Sequence, residues 1–151
     1  MLRDELTDAL KVAMKAKDPR RVSTLRLILA AVKDRDIAVR SEGNTDGIPA
    51  AEILQLLTKM VRQRRDSIKL YEEGGRVDLA ERESEEITVI EGFLPRQLDQ
   101  AEIEAAVREV VAELGATGLK DMGRTMAALK ARYAGCMDFG KTSAMVKEML
   151  G

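Results

Sequence analysis

Apolar residues in this chain of 151 residues recur at intervals of three and four almost from end to end, and nowhere do they alternate with polar ones as a half-buried strand requires. That period commits the chain to helices, because only a 3.6-residue repeat brings such positions onto one face. Leu2, Leu6, Leu10 and Ala13 mark a first helix, with Asp4 and Glu5 in the first turn, where the helix dipole favours acids. Asp18-Pro19 is an N-cap type followed by proline at a first-turn position, and Val22, Leu25, Leu29, Val32 and Val39 line one face of a long second helix. Beyond the loop from Ser41 to Gly47, Pro49 opens a third helix carrying Ile53, Leu57, Met60, Val61, Ile68 and Tyr71 on one side, and Gly74-Gly75 stops it. A fourth helix runs from about Val77 to Glu91, and its apolar positions, Leu79, Ile87 and Ile90, are sparse. Strong helix formers dominate throughout. The expected fold is all-α.

The stretch Gly92 to Asp99 breaks the pattern. Gly92 and Pro95 are helix punctuation, and Asp99 with Glu102 three residues later has the spacing of a capping box. This places a junction near residue 93, between an N-terminal helical bundle or paired helical hairpins over 1–92 and a small three-helix domain over 93–151. In the latter, Ile103, Val107, Val110, Val111 and Leu114 line a helix that ends at Gly115; Met122, Met126 and Leu129 mark the next, and Met145, Val146 and Leu150 the last.

Several function classes drop out on composition. Charges in every turn of the first 18 residues leave no secretory h-region, and no uncharged run approaches the roughly 20 residues that span a bilayer, so a cytoplasmic protein with no membrane partner is expected. A lone Cys136 allows no internal disulfide. There is no His, so no imidazole base or His metal ligand, and one Cys excludes a zinc ribbon; no metal and no cofactor are expected. Asp138-Phe139-Gly140 matches a kinase magnesium triplet, but the glycine-rich and His-Arg-Asp loops that go with it are missing, and the run from Gly115 to Lys120 lacks the spacing and ending of a P-loop. Ser23, Thr24, Ser67 and Ser143 have no nucleophile-activating neighbour, and Met122, Met126, Met145 and Met149 at helical spacing read as adaptable core or partner contacts.

Charge is sorted along the chain although its net value is only −1. Lys59 to Lys69 carries five bases against Asp66, and Glu72 to Glu91 carries eight acids against Arg76 and Arg82. If the helices on either side of Gly74-Gly75 fold back on each other, the two runs neutralise, with Arg64, close to the apolar face, pairing with an acid. Arg62, Arg65 and Lys69 then face outward and, with Arg26, offer a second basic surface. Arg26, Lys33 and Arg40 also recur every seven residues on the second helix. From Gly115 onward six bases outnumber three acids, so the tail is locally basic. Two of its glycine-containing turns precede helices and carry a nearby lysine, a setting in which backbone N–H groups can receive phosphate.

The segments Ser23–Ile37, Val61–Leu98 and Leu119–Lys130 resemble the YqeY proteins, the stand-alone members of the GatB/YqeY family. The residues that carry the likeness most specifically are Gln63, Arg64, Arg65, Ser67, Ile68 and Tyr71; then Gly75, Arg76, Asp78, Leu79 and Ala80; then Leu94, Pro95, Gln97 and Leu98. Lys120, Asp121, Met122, Gly123 and Met126 form a second block, and Asp138 a third. In that third block the commoner Gly-Arg-Ala-Asp-Gly is replaced by Gly135-Cys136-Met137-Asp138-Phe139-Gly140, so its arginine is missing. The resemblance implies a C-terminal half similar to the tail domain of the B subunit of the glutamine-dependent Glu/Asp-tRNA amidotransferase, a carbon–nitrogen ligase with glutamine as amide donor. That tail domain contacts tRNA, while amide transfer and ATP-dependent activation lie in other domains and subunits. The chain is therefore expected to be a tRNA-binding or amidotransferase-associated module rather than an enzyme on its own, with Lys120, Arg124, Lys130, Lys141 and Lys147 contacting the phosphates of tRNA or another structured RNA. The alternative is a helical adaptor without an RNA role, docking on a protein partner through its N-terminal bundle and its opposed charge runs.

Overall fold

Local chemistry sets where each helix starts and stops. In the computed structural model, which describes residues 1–151, α1 (Leu2–Lys15) turns into α2 (Pro19–Arg40) through Lys17, the one non-glycine residue with positive φ. Asp18 caps α2: its Oδ1 accepts the N–H of Arg21 at 3.2 Å, and Pro19 occupies the first turn, where its missing N–H is not needed. The third helix, α3 (Ala50–Glu73), stops at Gly74-Gly75, Gly75 taking φ +73° to reverse the chain into α4 (Val77–Glu91). The fold is all helix and turn, as its periodicity predicts.

The chain divides into two compact units, Met1–Leu94 and Pro95–Gly151. In the first, α1 pairs with α2 and α3 pairs extensively with α4, so the unit is two helical hairpins packed together through α2. Leu6, Leu25, Ile28, Val32, Ile53, Leu57, Met60 and Ile90 form its buried core, against which Phe93 and Leu94 also pack. α2 touches α1, α3 and α4, so it is buried over a wider arc than a single apolar stripe, and Ile28 and Thr24 join Leu25 and Val32 inside. Thr24 is tolerated there because its Oγ1 donates to the carbonyl of Arg20 at 2.9 Å.

The second unit is α5 (Gln100–Leu114), a 3-10 turn (Leu119–Asp121) running into α6 (Met122–Arg132), and α7 (Phe139–Leu150). The capping box is complete: Asp99 Oδ1 accepts the N–H of Glu102 at 2.8 Å, and Glu102 Oε1 accepts the N–H of Asp99 at 3.1 Å. Val107, Val110, Leu129, Val146 and Leu150 form the core, with Met122, Met126 and Met145 packed at its edge and Met149 exposed. Gln97 Nε2 donates to the carbonyl of Gly135, and Leu98 N–H to that of Cys136 at 2.9 Å, which ties the segment before α5 to the turn before α7.

Candidate functional site

The sorted charges of the N-terminal unit meet across the α3–α4 hairpin. Arg64 lies on the apolar side of α3, and its Nε donates to Glu86 Oε2 at 2.9 Å, with Glu83 at 3.9 Å and the Met60 carbonyl receiving Nη1 at 3.2 Å. The side chains of Arg64, Glu86 and Glu83 are only 14%, 13% and 22% exposed. This accounts for the sparse apolar face of α4: Glu83 and Glu86 stand at inward positions beside Ala80, Ile87 and Ile90. Burial, with the charge of Glu86 behind it, pushes the Glu83 carboxyl upward. Arg65 pairs with Glu91 at 3.7 Å, and Arg20 reaches Glu85 from α2 at 3.1 Å.

Arg62, Arg65 and Lys69 share a strip of α3 away from the core; Arg62 is half-buried, while Arg65 and Lys69 are exposed. Arg26 is exposed on α2. Arg65 is the member of this group that is committed to Glu91.

A second polar cluster, which residue spacing gave no reason to single out, closes the loop between α2 and α3. Arg3 donates to both carboxylate oxygens of Asp36, at 2.7 and 3.1 Å, and to the Ile48 carbonyl at 2.9 Å; Asp36 Oδ1 accepts the N–H of Ile48 at 2.8 Å. Arg3 first, then the Ile48 amide, holds the Asp36 carboxyl below its ordinary value. The clip needs a bare backbone beside it: Gly47 sits at φ +90°, and a Cβ there would lie 2.8 Å from both Arg3 Nη2 and Asp36 Oδ1.

In the C-terminal unit, the turns that the sequence marks as anion sites are filled by the protein's own carboxylates. Asp121 is buried and accepts the N–H of Thr117 at 2.9 Å and Arg124 Nε at 3.0 Å, while its carbonyl receives Thr125 Oγ1 at 2.8 Å. The Thr117 amide, and after it Arg124, holds the Asp121 carboxyl down. Asp138 caps α7 by accepting the N–H of Gly140 at 2.9 Å. The first turn of α6 itself has no side-chain cap, and the unit's other groups able to meet an anion are its side-chain cations.

Those cations fall into two classes. All four arginines of the unit are ion-paired: Arg96 with Glu102 at 2.8 Å, Arg108 with Glu104 at 3.9 Å, Arg124 with Asp121, and Arg132 with Glu113. Arg96 is the main reason, and the Asp99 amide the next, why the Glu102 carboxyl is held at about 2. Lys120, Lys130, Lys141 and Lys147, all exposed, enter no ion pair. Six residues separate Arg124 from Lys130 on α6 and Lys141 from Lys147 on α7, which sets each pair about 120° apart around its helix. Lys141 and Lys147 therefore do not share one face of α7. Lys141 lines a groove of about 330 Å³ beside Gln100, Glu104, Asp138 and Glu148, so three carboxylates share its surroundings. No group of three or more His, Cys, Asp or Glu side chains is disposed to hold a metal ion, and no helix is long and apolar enough to cross a membrane.

Comparison with known proteins gives a consistent picture. The chain is similar to "Altered inheritance of mitochondria protein 41, mitochondrial" of Lachancea thermotolerans, 35% identical over 107 residues that cover 70% of this chain and 55% of that protein. It is similar to the protein of the same name from Kluyveromyces lactis, 30% identical over 72% of this chain and 58% of that one, and from Candida glabrata, 36% identical over 56% and 45%. The matched segments thus span about half the length of these relatives. The family model described as Yqey-like protein matches residues 3–150, through both helical units, and the chain belongs to that family.

Proposed function

We propose that this YqeY-like protein is a recognition module for tRNA or another structured RNA, working in association with a glutamine-dependent amidotransferase, and that its C-terminal unit carries the contact. The observation that supports this most is the division of cations in that unit: the arginines are spent on internal carboxylates, while Lys120, Lys130, Lys141 and Lys147 are exposed without an acidic partner. A lysine ammonium free of a carboxylate is available to phosphate at no cost of breaking a pair. Lys141 and Lys147 on different faces of α7 suit a folded RNA met by shape, and a chain with 3% aromatic residues offers few stacking platforms for single strands. The sequence resemblance to the amidotransferase B-subunit tail domain supports the same reading. Arg124 plays a positioning part through Asp121, and Lys141, among its carboxylates, contributes least.

The test is binding of bulk tRNA over a salt series, for the parent protein and for a Lys120→Glu/Lys130→Glu/Lys147→Glu variant checked for helicity. Affinity should fall with salt, and the slope of log affinity against log salt should decrease by about one for each lysine that meets a phosphate. Absence of binding at low salt would sink the proposal. We propose a cytoplasmic location, to be read by fractionation; the word mitochondrial belongs to the names of the relatives.

A further inference from the structure

The side of α2 turned away from the core carries a regular pattern that the RNA reading does not use. Leu27 is 48% and Ile37 50% exposed, and Pro19, Ser23 and Ala30 are exposed beside them. Ser23, Ala30 and Ile37 stand seven residues apart, and so do Arg26, Lys33 and Arg40. A seven-residue interval keeps each set on one line along a helix, drifting only about 20° per repeat. A seam of small and apolar side chains therefore runs the length of α2 with a basic ridge along one flank, and Leu27 and Asp34 on the other. At its N-terminal end the seam opens into a largely apolar groove of about 480 Å³ lined by Pro19, Val22, Ser23, Arg26 and Leu27. Arg26, Lys33 and Arg40 are exposed and enter no ion pair, unlike Arg20 and Arg64 of the same unit.

We propose that this face of α2 receives an amphipathic helix of a partner protein, and that the partner's flank along the ridge is acidic. Ser23 and Ala30 are small enough to let a second helix approach closely, while Leu27 and Ile37 supply the apolar knobs. Three cations at heptad spacing match the flanking acids of a coiled-coil-like partner, which fix orientation and partner choice. A second copy of this chain is a poor fit. An antiparallel two-fold pairing of α2 with itself sets ridge beside ridge, and a parallel pairing sets three cations against the single Asp34. A lipid surface finds only two large apolar side chains and a carboxylate in the way, and RNA gains nothing from the apolar seam.

The experiment uses the full chain and a fluorescent three-heptad helical peptide with leucine along its seam and glutamate on its flanks, beside the same peptide with lysine flanks. Anisotropy should report binding of the glutamate peptide alone. Leu27→Glu, and separately Arg26→Glu/Lys33→Glu, should each weaken it by about tenfold or more with the helical melting curve unchanged, because these side chains are exposed. Equal binding of the two peptides, or binding of neither, overturns the proposal. So does a dimer in sedimentation that Leu27→Glu abolishes, or bulk-tRNA or phosphatidylserine-vesicle binding that these variants remove while peptide binding is absent. The lysine variants of the C-terminal unit leave this measurement untouched, so the two proposals fail separately.

Discussion

Arg64 stands on the same line of α3 as Leu57, Met60 and Val61, where a guanidinium without acceptors would be costly; Glu86, Glu83 and the Met60 carbonyl supply them. Arg64→Ala leaves two carboxylates facing each other at low exposure, and we expect a loss of about 2–4 kcal/mol in urea denaturation. Bulk-tRNA affinity should stay as it was; a variant that keeps its stability and loses RNA affinity would reverse the assignment of Arg64 to the fold. Gly47 offers a second residue-level test because Gly43 is its control. Both have positive φ, +90° and +92°, but a Cβ at Gly43 meets nothing within 4 Å, whereas at Gly47 it strikes the Arg3–Asp36 clip. Gly43→Ala should cost about 1 kcal/mol from backbone strain alone, and Gly47→Ala at least about 2 kcal/mol. Equal unfolding midpoints for the two would mean that the clip adds nothing.

At the scale of one element, α5 shows how a short helix is held at its start. Asp99 and Glu102 satisfy each other's amides, and Arg96 adds a two-pronged contact to Glu102. The Glu102 carboxyl falls from 4.5 to about 2 in the folded protein. A carboxyl lowered by folding contributes stability that is present above its unfolded value and lost as pH drops through its folded one, here between pH 4.5 and about 2. Glu102→Gln should therefore flatten the acid limb of stability in that window, read as urea midpoints against pH. The limb should shrink rather than vanish, because Asp121 and Glu113 are also lowered, chiefly by the Thr117 amide and by Arg132 respectively. An unchanged acid limb in the variant would show that Glu102 titrates normally. The starts of α6 and α7 show how a glycine-containing turn is served from within the chain: Asp121 accepts the N–H of Thr117 four residues before it, and Asp138 that of Gly140 two residues after it.

At the scale of the whole molecule, the two units have separate cores, one around Leu25, Ile28, Leu57 and Ile90 and one around Val107, Val110, Leu129 and Val146. Leu129→Ala empties a fully buried position in the smaller core and should cost that unit about 2–5 kcal/mol. In hydrogen exchange, the amides of α5, α6 and α7 should open faster while those of α3 keep their protection. Equal loosening of α3 would mean that the units unfold as one. The number, order and ends of the helices were legible in the residues because they depend on interactions within a few positions: the Asp18 cap, the Asp99–Glu102 box and the glycine stops at Gly75 and Gly115 all act inside one turn. The cross-hairpin pairing of Arg64 was legible too, since a basic residue on an apolar line next to an acidic run has few other partners. What lay beyond reach was whatever depends on a neighbour distant in sequence. The arc of α2 that is buried, the inward turn of Glu83, the joining of Arg3 to Asp36 over 33 positions and the sorting of the C-terminal unit's cations into paired arginines and unpaired lysines are decided only when helices pack and desolvate particular side chains. By itself the sequence determined an all-helical chain, because period and capping are local physics, and its motif residues carried the resemblance to the YqeY-like family. The tertiary structure decided which charges were left without an opposite charge beside them, because whether an ion pair forms depends on distances that no local rule specifies.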